Sequence, residues 1–373
     1  MGMPEIVIPK ELLPNDGRFG CGPSKLRDEQ LSNFANHGAK LMGTSHRQAP
    51  IKNMVGAIRE GLTELFQAPS DYEIILGNGG STAFWDAAAF SLADKKAQAL
   101  VHGEFGAKFG NALAAPWLSK PTIRKAEPGS RTDFEAEADV DIYVYPHNET
   151  STGVVTPVHR VPGMDPSALM LTDATSAAGG IWFDAAETDC YYFAPQKNFA
   201  SDGGLWLALV SPKAIERIES VAASGRYIPE FLSLKTALDN SRLNQTLNTP
   251  AISTLFLLED QIRWMNQSGG LKWADAKTKA TSKLIYDWAE ARPFAYPFVE
   301  NPEHRSQVVV TVNFEDSIDA LEIAKILRAN GIVDTDPYRK LGKNQLRVAT
   351  FTATDSSDVE QLLRAIDYVV ERM

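Results

Sequence analysis

The chain has 373 residues, more than a single hydrophobic core usually contains, so two domains are expected. Its composition, 44% apolar and 23% charged, is that of an ordinary globular protein and excludes a disordered or fibrous one. A net charge of -10, with no long basic run, makes nucleic acid and anionic membranes poor candidate partners.

The N-terminal sequence and the cysteines bear on location. The chain opens without a basic segment followed by an apolar run, so we expect no signal peptide. No stretch of about 18 apolar residues occurs, so we expect no segment that crosses a bilayer. Cys21 and Cys190 are too few for a disulfide framework and lack the spacing of metal ligands. These features favour a cytoplasmic protein without a bound metal.

Strands and helices are predicted to alternate in the N-terminal half of the chain. Apolar spacing predicts an amphipathic helix over residues 51–66, and a glycine turn after the next strand leads into a helix over residues 82–92, with Ser81 as its N-cap. Short apolar runs predict strands at Tyr72–Leu76, Gln98–His102, Asp141–Tyr145, Leu169–Thr172, Cys190–Phe193 and Leu205–Val210. Such repetition favours an α/β fold with a mostly parallel sheet.

The pattern restarts near the C-terminus. Two long helices, over residues 250–266 and 270–291, are followed by a proline-containing boundary at residues 292–297. Beyond it we predict a strand, a helix, a strand and a helix at Gln307–Phe314, Ile318–Asn330, Gln345–Phe351 and Ser357–Arg372. The expected organisation is a large α/β domain over residues 1–292 and a small α+β domain over residues 293–373.

Lys197 is the strongest candidate for chemistry. It lies just beyond an apolar strand in an aromatic-rich segment, and ligands of open α/β sheets bind beyond the carboxyl ends of strands. A lysine shielded from water there would have a lowered pKa and could form a Schiff base. A solvated loop lysine is the ordinary alternative, and only the residues that fit around Lys197 argue against it.

Two further segments fit a pyridoxal-phosphate site. Asp173 ends another apolar strand, where a carboxylate could keep the pyridine nitrogen of the cofactor protonated. The turn before Ser81 could hold a phosphate with free backbone N–H groups. The alternatives are a helix N-cap at Asp173 and a plain tight turn before Ser81.

Other candidates surround these. The segment His147–Gly153 follows a strand and could hydrogen-bond the ring hydroxyl of the cofactor, and Phe105 could stack on the ring. Arg347 interrupts an apolar strand, where an inward guanidinium could hold a carboxylate with two hydrogen bonds. A surface loop, a core aromatic and an arginine that faces water are the respective alternatives.

Together these segments resemble the phosphoserine aminotransferase family, a class-V branch of the fold-type-I pyridoxal-phosphate enzymes. The resemblance covers nearly the whole chain and rests on these segments: Phe19–Pro23, Ser45–Arg47, Gly77–Thr82, His147–Thr150, Thr172–Asp173, Gln196–Asn198, Asn248–Pro250 and Arg347. Their order along the chain is far more specific than any one of them.

The resemblance implies amino-group transfer between L-glutamate and 3-phosphohydroxypyruvate, giving O-phospho-L-serine and 2-oxoglutarate for serine biosynthesis, by a homodimer with sites at the subunit interface. Lys197 would bind the cofactor covalently and shuttle the proton, while Asp173 would pair with the pyridine nitrogen. Further cofactor contacts are implied for Gly80, Ser81, Thr82, Phe105, Thr150 and Gln196, and across the interface for Asn248 and Thr249. Substrate contacts are implied for Arg347 at the α-carboxylate, for His46 and Arg47 at the distal anion, and for Cys21.

The chain departs from the family pattern in several places. Phe105 stands where a Trp is common, Ser81 where an Arg is common, and Cys21 where a Ser often contacts substrate. The family's His-Arg pair before the carboxylate-binding arginine is missing, and the cations nearby are Arg339, Lys340 and Lys343.

Three other functions compete. A cysteine desulfurase would need a nucleophilic cysteine on a mobile loop, and neither Cys21 nor Cys190 suits that role. An alanine–glyoxylate or serine–pyruvate aminotransferase would have less need for His46 and Arg47. A non-catalytic phosphate-binding protein would have no reason to retain Lys197.

Overall fold

A seven-stranded sheet forms the centre of the computed structural model, which describes residues 6–373. Its spatial order is β1, β9, β8, β7, β4, β2, β3, for strands β1 (Glu73–Asn78), β2 (Lys96–Val101), β3 (Ser119–Lys125), β4 (Ile142–Pro146), β7 (Leu169–Asp173), β8 (Cys190–Phe193) and β9 (Leu205–Val210). Only β9 in this sheet runs antiparallel to its neighbours. The predicted α/β class with a mostly parallel sheet is therefore confirmed.

Helices cover both faces of this sheet. Ten α-helices lie in the described part of the chain: α1 (Asp28–Asn36), α2 (Ala49–Leu65), α3 (Ser81–Ser91), α4 (Glu104–Ala112), α5 (Pro212–Ala223), α6 (Leu234–Arg242), α7 (Ile252–Gln267), α8 (Gly270–Glu290), α9 (Ala320–Ala329) and α10 (Ser356–Val370). Helices α2 and α7 pack on one face, where Leu62 and Leu258 meet Phe193 in a buried apolar cluster. Helices α3 to α6 cover the other face, where Phe84 meets Tyr192. Because side chains alternate along a strand, Phe193 and Tyr192 point into different cores.

A second, three-stranded antiparallel sheet lies near the C-terminus. It consists of β10 (Ala295–Pro297), β11 (Val309–Phe314) and β12 (Gln345–Ala349). Its core includes side chains of α8, α9 and α10 and also Ile8 and Phe19 from the start of the chain. The division at residue 293 stays a prediction, because this core draws on residues from both sides of it.

Sequence and structure differ in one helix cap, in one predicted boundary and in several elements that were not predicted. Gly80, not Ser81, is the N-cap of α3, and Ser81 is the first helical residue. The predicted boundary at residues 292–297 contains β10, because its Ala and Tyr pair with β11. Helices α1, α4, α5 and α6, strand β3 and the two-residue strands β5 (Asn148–Glu149) and β6 (Val154–Val155) were not predicted.

The prediction that the chain has no signal peptide falls partly on residues 1–5, which lie outside the described residues. Within residues 6–373, no helix is both long enough and apolar enough to cross a bilayer.

Gly77 gives a test of packing at the end of β1. A Cβ at this buried glycine would collide with the indole of Trp206 on the paired strand β9, whereas one at Gly203 would meet no atom within 4 Å. We expect Gly77→Ala to destabilise the protein by about 1–3 kcal/mol, the usual cost of overpacking, and Gly203→Ala to leave stability nearly unchanged. Chemical denaturation of both variants measures this difference, and equal stabilities would contradict the packing described here.

Candidate active site

The candidate residues follow the carboxyl ends of strands that run in the same direction. Gly80 follows β1, Phe105 follows β2, Thr150 follows β4, Asp173 ends β7 and Lys197 follows β8. Parallel strands bring their carboxyl ends to one edge of the sheet, which is where open α/β folds bind ligands. The structure therefore brings these five predicted residues to one edge.

Lys197 is buried at this edge, with 8% of its surface exposed. Its Nζ donates a hydrogen bond of 2.7 Å to the backbone carbonyl oxygen of Cys21. The following Gly22 has a φ of +131°, and a Cβ there would lie 2.5 Å from Cε of Lys197. The N-terminal segment thus passes so close to the lysine that only glycine fits, and the lysine is not the solvated loop residue considered as the alternative.

Burial lowers the pKa of Lys197 from 10.5 to about 8, because desolvation penalises the ammonium ion. The positive charge of Arg347 lowers the pKa further, while Asp173 and Glu149 oppose the shift. Near neutral pH a useful fraction of the amine is therefore unprotonated and able to act as a nucleophile.

Asp173 is 5% exposed and receives three hydrogen bonds from its own chain. Its Oδ2 accepts from the hydroxyl of Tyr192 at 2.8 Å and from the indole Nε1 of Trp85 at 3.2 Å. Its Oδ1 accepts from the backbone N–H of Thr175 at 2.9 Å. The described residues 174–184, which directly follow Asp173, contain no regular helix, so the helix-cap alternative is wrong.

The start of α3 has the form of an anion site. Its N-cap Gly80 makes no side-chain cap, so the first backbone N–H groups of the helix, at Ser81 and Thr82, are not capped by that residue. The Ser81 hydroxyl lies 2.6 Å from that of Thr175, which joins this helix start to the loop after Asp173. Gln196 adds a side-chain amide whose buried oxygen has no hydrogen-bond partner, and a half-turn of this amide would present its NH2 group to an anion.

Glu149 is a buried residue that the sequence did not single out. Its carboxylate accepts backbone N–H bonds from Phe105 and Gly106 at 3.1 and 2.9 Å, and a bond of 2.6 Å from the Ser151 hydroxyl. The carboxylate therefore holds the first turn of α4, and with it Phe105, against the loop that carries Thr150. A glutamate flanked by polar residues after an apolar strand was the available signal.

Phe105 and Thr150 border the lysine. The Phe105 ring centre lies 5.9 Å from Nζ of Lys197, and the Thr150 hydroxyl donates to Ser176 at 2.8 Å. Phe105 is partly buried and packs against the apolar core on this face of the sheet, so it combines a core contact with a place beside the lysine.

Arg347 is half-buried in β12 and faces the same region. One terminal nitrogen donates to the carbonyl of Thr150 at 3.0 Å, and the guanidinium carbon lies 5.3 Å from the centre of the Tyr338 ring. Its Nε is buried without a partner. Arg347, Tyr338 and Cys21 line a cleft of about 670 Å³. The guanidinium therefore faces this cleft, and its Nε is free to donate to an acidic ligand.

His46 and Arg47, the other predicted cationic pair, make hydrogen bonds to residues outside the group around Lys197 and Arg347. His46 is 7% exposed, and its Nδ1 lies 3.3 Å from the Thr249 hydroxyl, while its Nε2 is buried without a partner. Burial, and next the charge of Arg47, lower the pKa of His46.

Asn78 donates to the Thr249 carbonyl at 3.3 Å, and Asn248 is exposed. Among residues 6–373, no hydrogen bond joins His46 or Arg47 directly to Lys197 or Arg347.

Both thiols are buried. Burial raises the pKa of Cys21 and of Cys190, so neither thiol is readily ionised. Cys190 lies inside β8. This agrees with the expectation that neither cysteine serves as a desulfurase nucleophile.

Comparison with known proteins identifies the family. The class-V aminotransferase family model matches residues 25–335. The chain belongs to the class-V aminotransferase family. A phosphoserine aminotransferase of Nocardioides sp. is 56% identical over 99% of both chains. A Mycobacterium sp. (strain KMS) protein, provisionally named for the same enzyme, is 58% identical over 100% of both chains.

Solved structures agree on the fold. A phosphoserine aminotransferase from Cytophaga hutchinsonii superposes with a TM-score of 0.86, at 24% identity, over 94% of this chain and 99% of that one. A pyridoxal-phosphate-bound phosphoserine aminotransferase from Trichomonas vaginalis gives a TM-score of 0.81 at 20% identity, over 95% of this chain and 100% of that one. The fold-type-I architecture is thereby confirmed.

As a class-V aminotransferase, the chain is a pyridoxal-phosphate-dependent enzyme, and its residues fit that cofactor. Lys197 offers an amine to the aldehyde, Asp173 offers a carboxylate to the ring nitrogen, and the start of α3 offers N–H groups to the phosphate. The side-chain oxygen of Gln196 is buried and has no hydrogen-bond partner in the protein. Buried polar groups normally have one, so a bound molecule beside Gln196 is expected.

The lowered pKa of Lys197 predicts how the apoprotein captures its cofactor. Since the neutral amine is the nucleophile, the rate of covalent capture should rise with pH and level off above about pH 8. Stopped-flow absorbance after mixing apoprotein with pyridoxal phosphate measures this rate. Lys197→Ala gives the baseline from surface lysines, and a midpoint near 10.5, after subtraction of that baseline, would contradict the burial effect.

Proposed function

We propose that the protein transfers the amino group of L-glutamate to 3-phosphohydroxypyruvate, giving O-phospho-L-serine and 2-oxoglutarate in serine biosynthesis. The observation that carries the proposal is the buried amine of Lys197, with its pKa lowered to about 8, at the sheet edge that also holds Asp173. The full-length relatives at 56–58% identity support the choice of substrates.

Lys197 would move the proton. When bound, pyridoxal phosphate supplies an aldehyde that takes up the amino group and a ring that withdraws electrons from the reacting carbon. The buried Lys197 amine would remove the proton from Cα of the amino acid and hold it at Nζ for its return. A pKa of about 8 suits both steps near neutral pH.

Asp173 would accept the hydrogen bond of the ring N–H, since its carboxylate is buried and held in place by donors of its own chain. Phe105 and Thr150 would border the ring on the α4 side. The phosphate would lie at the start of α3, with Gly80, Ser81, Thr82 and Gln196 as its contacts.

Arg347 would bind the α-carboxylate that all amino-acid substrates share. Its Nε is unpartnered and one terminal nitrogen is already bound to Thr150, so the carboxylate would be held by Nε and the other terminal nitrogen. Cys21, whose carbonyl oxygen accepts the hydrogen bond of the Lys197 amine, lines the same cleft.

The distal anion would bind to His46 and Arg47, and a homodimer would place this pair beside the Lys197 group of the other subunit. These residues have no direct hydrogen bond to the Lys197 group of their own chain, and the unpartnered Nε2 of His46 supports a ligand or a second subunit beside it. Asn248 and Thr249 are exposed, as residues that reach the cofactor phosphate of a neighbouring subunit would be in one chain. A cytoplasmic homodimer with sites at the interface is part of this proposal.

A half-reaction panel tests the reaction itself. The cofactor-loaded enzyme is mixed separately with phosphoserine, glutamate, serine and alanine, and the absorbance of the bound cofactor is followed. We expect phosphoserine and glutamate to react fastest and Lys197→Ala to react with none of them. If alanine or serine reacted faster than phosphoserine, the protein would instead be an alanine–glyoxylate or serine–pyruvate aminotransferase.

Arg47→Ala should reduce kcat/KM for phosphoserine and glutamate. A hydrogen bond to a charged group contributes about 1.5–3 kcal/mol, so the loss should be about ten- to a hundredfold. Alanine carries no distal anion, so its slow reaction should hardly change. Steady-state kinetics with the three amino acids measure both effects.

Arg339→Ala is the matched control, because Arg339 lines the Arg347 cleft and carries the same charge. Should Arg339→Ala or Lys343→Ala lose phosphoserine turnover while Arg47→Ala retains it, the distal anion would bind near residues 339–343 and the assignment to Arg47 would be wrong.

A further inference from the structure

Two buried side chains, Tyr192 and Trp85, hydrogen-bond to Asp173, and the reaction proposed above gives neither of them a role. The Trp85 indole N–H lies 2.9 Å from the Tyr192 oxygen, and the Tyr192 hydroxyl lies 2.8 Å from Oδ2 of Asp173. The indole also lies 3.2 Å from that Oδ2. We propose that Tyr192, supported by Trp85, is a positioning residue that leaves Oδ1 of Asp173 to accept the pyridine N–H. This inference rests on the function proposed above.

The acceptor positions of the Asp173 carboxylate determine which of its oxygens can face the pyridine N–H. Each carboxylate oxygen has about two acceptor positions. Oδ2 of Asp173 already accepts from Tyr192 and Trp85, so it is saturated. Oδ1 accepts only from the backbone N–H of Thr175 and keeps one position open. The single free acceptor position of the carboxylate is therefore on Oδ1.

Tyr192 is fixed as a donor. It is fully buried, its ring is stacked on Phe84 with centres 4.1 Å apart, and Phe109 meets its ring edge-on. Burial, and next the negative charge of Asp173, raise the pKa of the Tyr192 hydroxyl, so it remains protonated. The nearby indole can only donate, so the hydroxyl proton is directed to Asp173.

The effect on chemistry follows from the placement of Oδ1 of Asp173. A carboxylate oxygen that accepts the ring N–H keeps the proton on the pyridine nitrogen. Without the Tyr192 hydroxyl, the Asp173 side chain loses one of the contacts that orient it, and the hydrogen bond that Oδ1 would accept from the ring N–H should weaken. The withdrawal of electrons from the reacting carbon should then weaken.

The neighbouring Tyr191 provides a matched control. It is fully buried in the same strand, but alternation directs it to the other face of the sheet. Its hydroxyl lies 3.2 Å from Nδ1 of His147 and makes no hydrogen bond to Asp173. Tyr191→Phe therefore removes a buried hydroxyl from β8 without changing the donors to Asp173.

The experiment compares Tyr192→Phe, Tyr191→Phe and Asp173→Asn as cofactor-loaded enzymes. We expect Tyr192→Phe to lower the single-turnover rate with glutamate about tenfold, with little change in the glutamate concentration for half-maximal rate. The ¹⁵N shift of ring-labelled pyridoxal phosphate should move toward that of the neutral ring nitrogen. A merely structural role would not move this signal, and Tyr191→Phe should leave it as in the wild type.

The outcomes separate the inference from the function on which it rests. If Asp173→Asn is impaired while Tyr192→Phe has a wild-type rate and ¹⁵N shift, the positioning role is overturned and the proposed active site stands. If Asp173→Asn also matches the wild type, the assignment of Asp173 itself falls. Equal losses in both tyrosine variants would mean a general packing effect and would overturn the inference. Trp85→Phe, which removes the other donor to Oδ2, replaces Tyr192→Phe if that variant does not fold, with the same expected shift.

Discussion

The burial of one amine beneath the N-terminal segment is the constraint on which the site depends. Lys197 loses the hydration of its ammonium form, and the Cys21 carbonyl is its direct hydrogen-bond partner. A lysine in water is almost entirely protonated at neutral pH, so it would bind a carbonyl cofactor or accept a proton far more slowly. Gly22 permits this close approach, since any side chain there would enter the space of the lysine.

Distant parts of the chain cooperate to keep the segment in place. Phe19 exchanges backbone hydrogen bonds with Val333 and Ala349, which ties the segment to the C-terminal part of the chain. On the other side, the Ser24 hydroxyl donates to the Lys197 carbonyl at 2.6 Å. The segment thus links the small sheet to the catalytic edge of the large one. Movement of the small sheet would therefore change the surroundings of the Lys197 amine.

Sequence patterns predicted what depends on local alternation and strand ends. The bounds of β8 and β9 were predicted without error, and because the active-site edge follows from parallel strands, Lys197 and Asp173 could be placed together. Helix α1 was not predicted because its faces are polar. Strand β10 is defined by its hydrogen bonds to β11, which lies further along the chain, so the local sequence did not indicate it. Glu149 and Tyr192 act through contacts with residues 44 and 19 positions away, which spacing in the sequence does not reveal. The approach of Arg347 to Thr150 likewise depends on tertiary packing.

The central claim is that Lys197, and no other lysine, binds the cofactor. Lys277 is a useful rival, because burial also lowers its pKa, but it lies on α8 and donates to the Thr354 carbonyl. Borohydride reduction of the cofactor-loaded enzyme makes the bond to the lysine permanent, and mass spectrometry of the digested protein then locates it. The account predicts a single pyridoxyl-phosphate adduct on the peptide that contains Lys197. An adduct on Lys277 or another lysine, with Lys197 unmodified, would contradict it.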